Sequence, residues 1–139
     1  MNNRVVTSVL IGDYAVGKSA LLYRLVNNKF LDLNLTTIGV DFKVLNVKTD
    51  IGDIKMRVWD TAGMERFRSL VSSYFSGANA VLMVCDCTKP DSIRNLYDTW
   101  YRYIKRSKSY DPDTLIYVIV NKWDHKDKID NTRDMIKNM

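Results

Sequence analysis

The stretch Gly12-Asp13-Tyr14-Ala15-Val16-Gly17-Lys18-Ser19 matches the pattern G-x-x-x-x-G-K-[ST] at every fixed position. Before it runs Val5 to Ile11, a β-branched apolar segment that reads as a buried strand. After it a helix is predicted over Lys18 to Asn28, with Ala20, Leu21, Leu22, Leu25 and Val26 as its apolar face. This setting separates the motif from a glycine turn before an ordinary helix. The glycines let the backbone wrap so that successive N–H groups converge on a phosphate at the helix N-terminus. Lys18 then reaches β- and γ-phosphates, and the Ser19 hydroxyl supplies one ligand to Mg²⁺. A strand–loop–helix unit of this kind sets the fold class as α/β.

Outward from that unit the periodicity changes repeatedly. Asp41 to Thr49 alternates, with Phe42, Val44 and Val47 among polar residues, and turns at Asp50-Ile51-Gly52-Asp53 into a second strand, Ile54 to Trp59. Ala80 to Cys85 reads as a buried strand. Pro90-Asp91 opens a helix on which Ile93, Leu96, Tyr97, Trp100 and Ile104 recur at helical spacing. Leu115 to Val120 reads as a further buried strand, and Asp130 to Met139 starts another helix. Strands alternating with helices predict a mostly parallel sheet with helices on both faces, the hairpin adding one antiparallel edge strand. No repeat, low-complexity tract or linker interrupts residues 1–139, which are read as one domain.

Composition narrows the function classes. The chain is 46% hydrophobic and 27% charged, which excludes a disordered or fibrous protein. One histidine excludes multi-histidine metal sites, and two cysteines, Cys85 and Cys87, give no disulfide framework, so an intracellular, cytosolic location is expected. Spaced two apart on a strand with no second pair, they are read as core. A net charge of +5 suits a polyanionic small ligand or an acidic surface as well as nucleic acid, and no fold motif supports nucleic acid. Arg102, Lys105, Arg106 and Lys108 are read as a solvated helix end.

Asn121-Lys122-Trp123-Asp124 follows the last predicted strand, where an open α/β sheet binds ligands. The Asp124 carboxylate can accept from both N1–H and the exocyclic amine of guanine, a pair adenine does not offer. Asn121 adds amide bonds, and the stem of Lys122 can lie along the ring. Asp60-Thr61-Ala62-Gly63 ends the second hairpin strand, where Asp60 can hold Mg²⁺ through water and Gly63 lets a backbone N–H approach the γ-phosphate. Thr37, in the loop after the first helix, is the second hydroxyl for the metal.

Together these residues resemble the Ras superfamily, and within it the Rab branch of vesicle-traffic GTPases. The likeness rests on Ile38 to Phe42, Lys55 to Trp59, Arg66 to Leu70, Tyr74 to Ala78 and Met83 to Thr88, and covers about Val5 to Asp124. It implies a P-loop NTPase fold and Mg²⁺-dependent GTP binding and hydrolysis to GDP, with Lys18, Thr37, Gly63 and the Met64 position catalytic. It implies nucleotide contacts from Gly12, Asp13, Tyr14, Ala15, Val16, Gly17, Lys18, Ser19, Ala20, Phe30, Thr37, Gly63, Asn121, Lys122 and Asp124. Phe30 would cover the guanine ring edge-on. Rab-type effectors, exchange factors and activating proteins are the implied partners, with Ile38, Phe42, Trp59 and Tyr74 as the effector surface. Three departures stand out. Met64 replaces the glutamine that orients the attacking water, and a thioether has no N–H to donate. Tyr14 crowds a loop position normally small. The sequence stops before the family's last strand, last helix and C-terminal prenylated cysteines, so membrane contact is expected only indirectly. An uncovered Leu115–Val120 edge would allow self-association. The implied function is a slow molecular switch; a non-catalytic GTP-bound decoy that sequesters effectors or regulators is the alternative.

Overall fold

A computed structural model of the chain describes residues 4–30, 40–62, 68–125, 127 and 129–138. Its strands are β1 (Arg4–Gly12), β2 (Val40–Thr49), β3 (Gly52–Thr61), β4 (Ala80–Asp86) and β5 (Leu115–Asn121). They form one sheet in the order β2-β3-β1-β4-β5. β1 runs parallel to β3 and β4, and β5 parallel to β4. β2 is the antiparallel edge, paired from Val40↔Thr61 to Thr49↔Gly52 across a turn at Asp50-Ile51. The expected mostly parallel sheet with helices on both faces is therefore present.

The helices are α1 (Lys18–Asn27), α2 (Arg68–Val71) with a 3₁₀ turn over Ser72–Phe75, α3 (Pro90–Asn95), α4 (Arg102–Arg106) and α5 (Ile129–Lys137). Between α3 and α4, Leu96–Tyr101 adopts π-helical geometry, so residues 90–106 make one continuous rod. Period-two alternation sorts the strand residues onto two faces. On one, Val9, Ile11, Val81, Met83 and Cys85 meet Val71, Phe75, Ile93, Leu96, Trp100 and Ile104, with Met135 and Ile136 of α5 at the margin. On the other, Leu10, Val58 and Val84 meet Val16 and Leu22, with Leu21, Met56, Leu82 and Ile119 packed around them. Each fully buried large side chain contributes about 1.5–3 kcal/mol, so the rod, with four such residues, anchors the first face.

Three sequence expectations need correction. Tyr97 is not on the rod's buried face but 42% exposed, while Ile93, Leu96, Trp100 and Ile104 on the same predicted face are buried. Its ring stacks on Tyr101 at 5.5 Å and carries the Arg102 guanidinium at 5.4 Å. β5, buried by its composition alone, is instead the uncovered apolar edge also expected of Leu115–Val120: Leu115, Tyr117 and Val118 are exposed, and among the described residues nothing pairs with its outer side. Leu25 and Val26 of α1 are likewise exposed, because α1 lies over β1 and β3 and presses only Leu21 and Leu22 into the core. Cys85 and Cys87 are both buried, as expected. Burial, followed by the nearby Asp86 carboxylate, pushes the Cys85 thiol up to about 12, which makes it inert.

Candidate nucleotide site

The ends of β1, β3, β4 and β5 converge on one loop. β1 stops at Gly12 and α1 starts at Lys18, with Gly17 as its N-cap and no side chain capping its first turn. Those first-turn N–H groups are left for a ligand, the arrangement that makes a helix N-terminus an anion site. Glycine is required at both ends of the loop. Gly12 has φ +149 and a β-carbon there would run into the Val84 carbonyl; Gly17 has φ +99 and a β-carbon would run into the Asn121 amide. Ala15 also sits at positive φ, which costs about 1–3 kcal/mol and is tolerated only where surroundings hold it.

Lys18 is buried, and its ammonium folds back to donate to the carbonyls of Gly12 at 2.9 Å and Asp13 at 2.7 Å. Burial pushes its pKa down to about 8, partly offset by the negative charge of Asp60 and Asp13. A buried ammonium satisfied only by neutral carbonyls is poised to trade them for anionic oxygens. The Ser19 hydroxyl donates to Asp60 Oδ2, joining the start of α1 to the end of β3. The Thr61 hydroxyl donates to the Leu10 carbonyl at 2.6 Å and locks β3 to β1 at that point. A hydroxyl and a carboxylate are hard oxygen donors, few in number, and fit Mg²⁺, which keeps waters and takes further ligands from phosphates. Among the described residues no group of three or more His, Cys, Asp or Glu could hold a metal.

On the β5 side, Asn121 donates its amide to the Val16 carbonyl at 2.8 Å. Lys122, at φ +61, donates to the Ala15 carbonyl at 3.2 Å and pairs with Asp86 at 2.5 Å. Burial raises the Asp86 pKa, but Lys122 and two hydrogen bonds from Thr88 more than compensate, and the net direction is down. Two of the residues expected to contact a base, Asn121 and Lys122, thus also brace the loop from behind. Asp124 lies exposed beyond them, in a turn closed by the His125 N–H on the Lys122 carbonyl at 3.2 Å.

A family model described as the Ras family matches residues 7–138 of this chain. The chain belongs to the Ras family. It is 46% identical to the Ras-related protein RABD1 of Arabidopsis thaliana over 98 residues, 70% of this chain and 47% of that protein. It is 49% identical to the Ras-related protein Rab-1D of Dictyostelium discoideum over 88 residues, 63% of this chain and 43% of that protein. With the GTP-binding protein YPTM2 of Zea mays it shares 44% identity over 108 residues, 78% of this chain and 53% of that protein. The first two of these relatives bear Rab names. The chain spans about half the length of the curated relatives it matches.

In this Ras-family chain the structure brings together the loop Gly12 to Ala20 with Asp60, Asn121 and Lys122. Phe42, Trp59 and Tyr74 also meet, as a tilted ring stack with centroids 4.4 and 4.6 Å apart. Thr37, Ile38, Gly63 and Met64 lie outside the described residues. Phe30 stands 77% exposed, its ring under the Arg24 guanidinium at 4.7 Å, and Tyr14 is 54% exposed on the loop. Two features escaped the sequence reading: the Asp86–Lys122 ion pair and a contact from the Asp13 carboxylate to Asn95 and Trp100. No local motif marks either one. No helix among the described residues is long and apolar enough to cross a membrane.

Proposed function

We propose that this chain binds GTP and GDP with Mg²⁺, hydrolyses GTP slowly, and acts as a switch that recruits effectors in membrane traffic. The observation carrying this reading is convergence. Asp60 at the end of β3 and Asn121 and Lys122 at the end of β5, on opposite sides of β1, bear on the one loop Gly12–Ser19 that carries Lys18 and Ser19. Lys18 would exchange its carbonyl partners for β- and γ-phosphate oxygens, and Ser19, Asp60 and Thr37 would hold the metal. Bound Mg²⁺ supplies charge neutralisation on the phosphates. Asp124 would select guanine. The Phe42–Trp59–Tyr74 stack, with Ile38, would present rigid aromatic surface to effectors. Exchange factors and activating proteins would act on the same loop. Competition between GTP and ATP for the purified chain in Mg²⁺ tests the reading: strong preference for GTP is expected, and equal binding contradicts it.

Two predictions follow from individual residues. Among its protein neighbours alone Lys18 loses its proton near pH 8, whereas bound phosphates would hold it charged. Above that pH, binding must take up a proton, so nucleotide affinity should fall about tenfold between pH 7 and pH 9. A fluorescent GDP titration at constant ionic strength reads this, and a flat profile contradicts it. The same linkage gives the empty chain a stability that rises with pH from about 8 toward the free-lysine value of 10.5, where the unfolded state binds the extra proton. The second prediction concerns Met64, which offers no N–H to hold an attacking water. Met64→Gln should raise the intrinsic hydrolysis rate by about tenfold or more, roughly 1.4 kcal/mol of barrier. Equal rates for the two proteins would assign the water to another residue.

A further inference from the structure

Asp13 occupies the second position of the phosphate loop, yet its carboxylate turns away from the loop. Oδ1 accepts from Trp100 Nε1 at 2.8 Å and Oδ2 accepts from Asn95 Nδ2 at 2.7 Å. Both donors belong to the rod, 87 and 82 residues further along the chain. Trp100 is fully buried between the sheet and the rod, with its ring edge-on to Tyr103. Asn95 ends α3 and Trp100 lies in the π-helical segment that follows, so the wider winding there brings both donors to one carboxylate. The backbone carbonyl of the same residue takes the Lys18 ammonium at 2.7 Å.

We infer that Asp13 is a positioning residue of the nucleotide site: through Trp100 and Asn95 it fastens the start of the phosphate loop to the rod and keeps its own charge directed away from the phosphates. The inference rests on the nucleotide-binding reading above. Lys18 must leave the Gly12 and Asp13 carbonyls when phosphate arrives. The loop keeps its shape through that exchange only if something other than Lys18 holds it. Asn121 and Lys122 hold its far half, at Val16 and Ala15. The near half is held by the Asp13 carboxylate. An anionic acceptor taking two neutral donors makes stronger hydrogen bonds than neutral pairs do, and here one donor, the Trp100 indole, is fully buried. The inserted charge beside a polyphosphate is acceptable for the same reason, since both of its oxygens are already engaged. The indole N–H of Trp100 should also sense whether the loop is filled.

The test is GDP release from the Mg²⁺-loaded chain, with the indole ¹⁵N–H resonance of Trp100 followed with and without GDP. Asp13→Ala and Trp100→Phe should each speed release about tenfold, and the double variant should be no faster than the quicker single. Asp13→Asn retains an oxygen for the indole, and the Asn95 amide can rotate to meet its new donor. It should recover most of the slow release, which loss of packing alone would not explain. The wild-type indole resonance should move when GDP is added and lose that response in Asp13→Ala. Wild-type release rates in Asp13→Ala, or effects of the two substitutions that multiply independently, would overturn the inference while leaving nucleotide binding intact. Failure of the wild-type chain to bind GDP at all would overturn the nucleotide reading and this inference with it.

Discussion

Replacing Lys18 with methionine should lower affinity for guanine nucleotide at least about a hundredfold while leaving the empty fold about as stable as before. The two halves of this expectation come from different parts of the same environment. In the empty chain the ammonium is buried and depressed to about 8, so the charge is a burden there, offset by two carbonyl acceptors. Methionine has similar length and removes both the burden and those bonds, so the two changes offset each other. With nucleotide, the lost ammonium would have met two phosphates, each charge-assisted contact worth about 1.5–3 kcal/mol. Thermal melts of the empty variant together with GDP titration separate the effects. A variant that unfolds tens of degrees lower would make Lys18 a structural residue; unchanged GDP affinity would remove it from the phosphate site.

Asp124→Asn should exchange the base preference, weakening GTP at least about a hundredfold and favouring xanthosine triphosphate. The carboxylate sits exposed just beyond β5, at the end of a turn whose geometry is set from behind by Lys122 on Asp86 and Ala15. A carboxylate accepts from two guanine donors at once, and each such bond contributes about 1.5–3 kcal/mol. An asparagine places an N–H₂ against one of those donors, whereas xanthine offers a carbonyl there. Because Asn121 and Lys122 already hold the loop, the substitution at the exposed neighbour should not disturb the phosphate half of the site. Competition among GTP, xanthosine triphosphate and ATP on both proteins measures this. Equal GTP binding by wild type and variant would take guanine selection away from Asp124.

The parts of this molecule legible in the sequence are those whose physics is local. The loop from Gly12 to Ser19 was readable because its glycines answer a backbone demand that no other residue meets, and the structure places a carbonyl and an amide where their β-carbons would stand. The hairpin was readable from alternation and turn residues, its strand ends falling within two residues of those expected. Burial was less legible because it depends on what lies opposite. Leu25, Val26, Leu115 and Tyr117 carry apolar side chains at helical or strand spacing and remain exposed. Tyr97 sits at the margin of the buried stripe formed by Ile93, Leu96, Trp100 and Ile104, where spacing alone does not separate a buried ring from an exposed one. The links from Asp13 to Trp100 and from Asp86 to Lys122 join residues 87 and 36 positions apart, each of an unremarkable type, and only the folded sheet brings them together.

We propose that this chain turns over GTP rather than merely holding it. Phosphate release from the purified 139-residue chain loaded with γ-labelled GTP, started by adding Mg²⁺, measures this. Phosphate above the protein-free rate is expected, dependent on Mg²⁺ and abolished in Lys18→Met. Stable retention of intact GTP by the Mg²⁺-supplied chain, with no phosphate above that background, would contradict it and leave a GTP-bound binding module in its place.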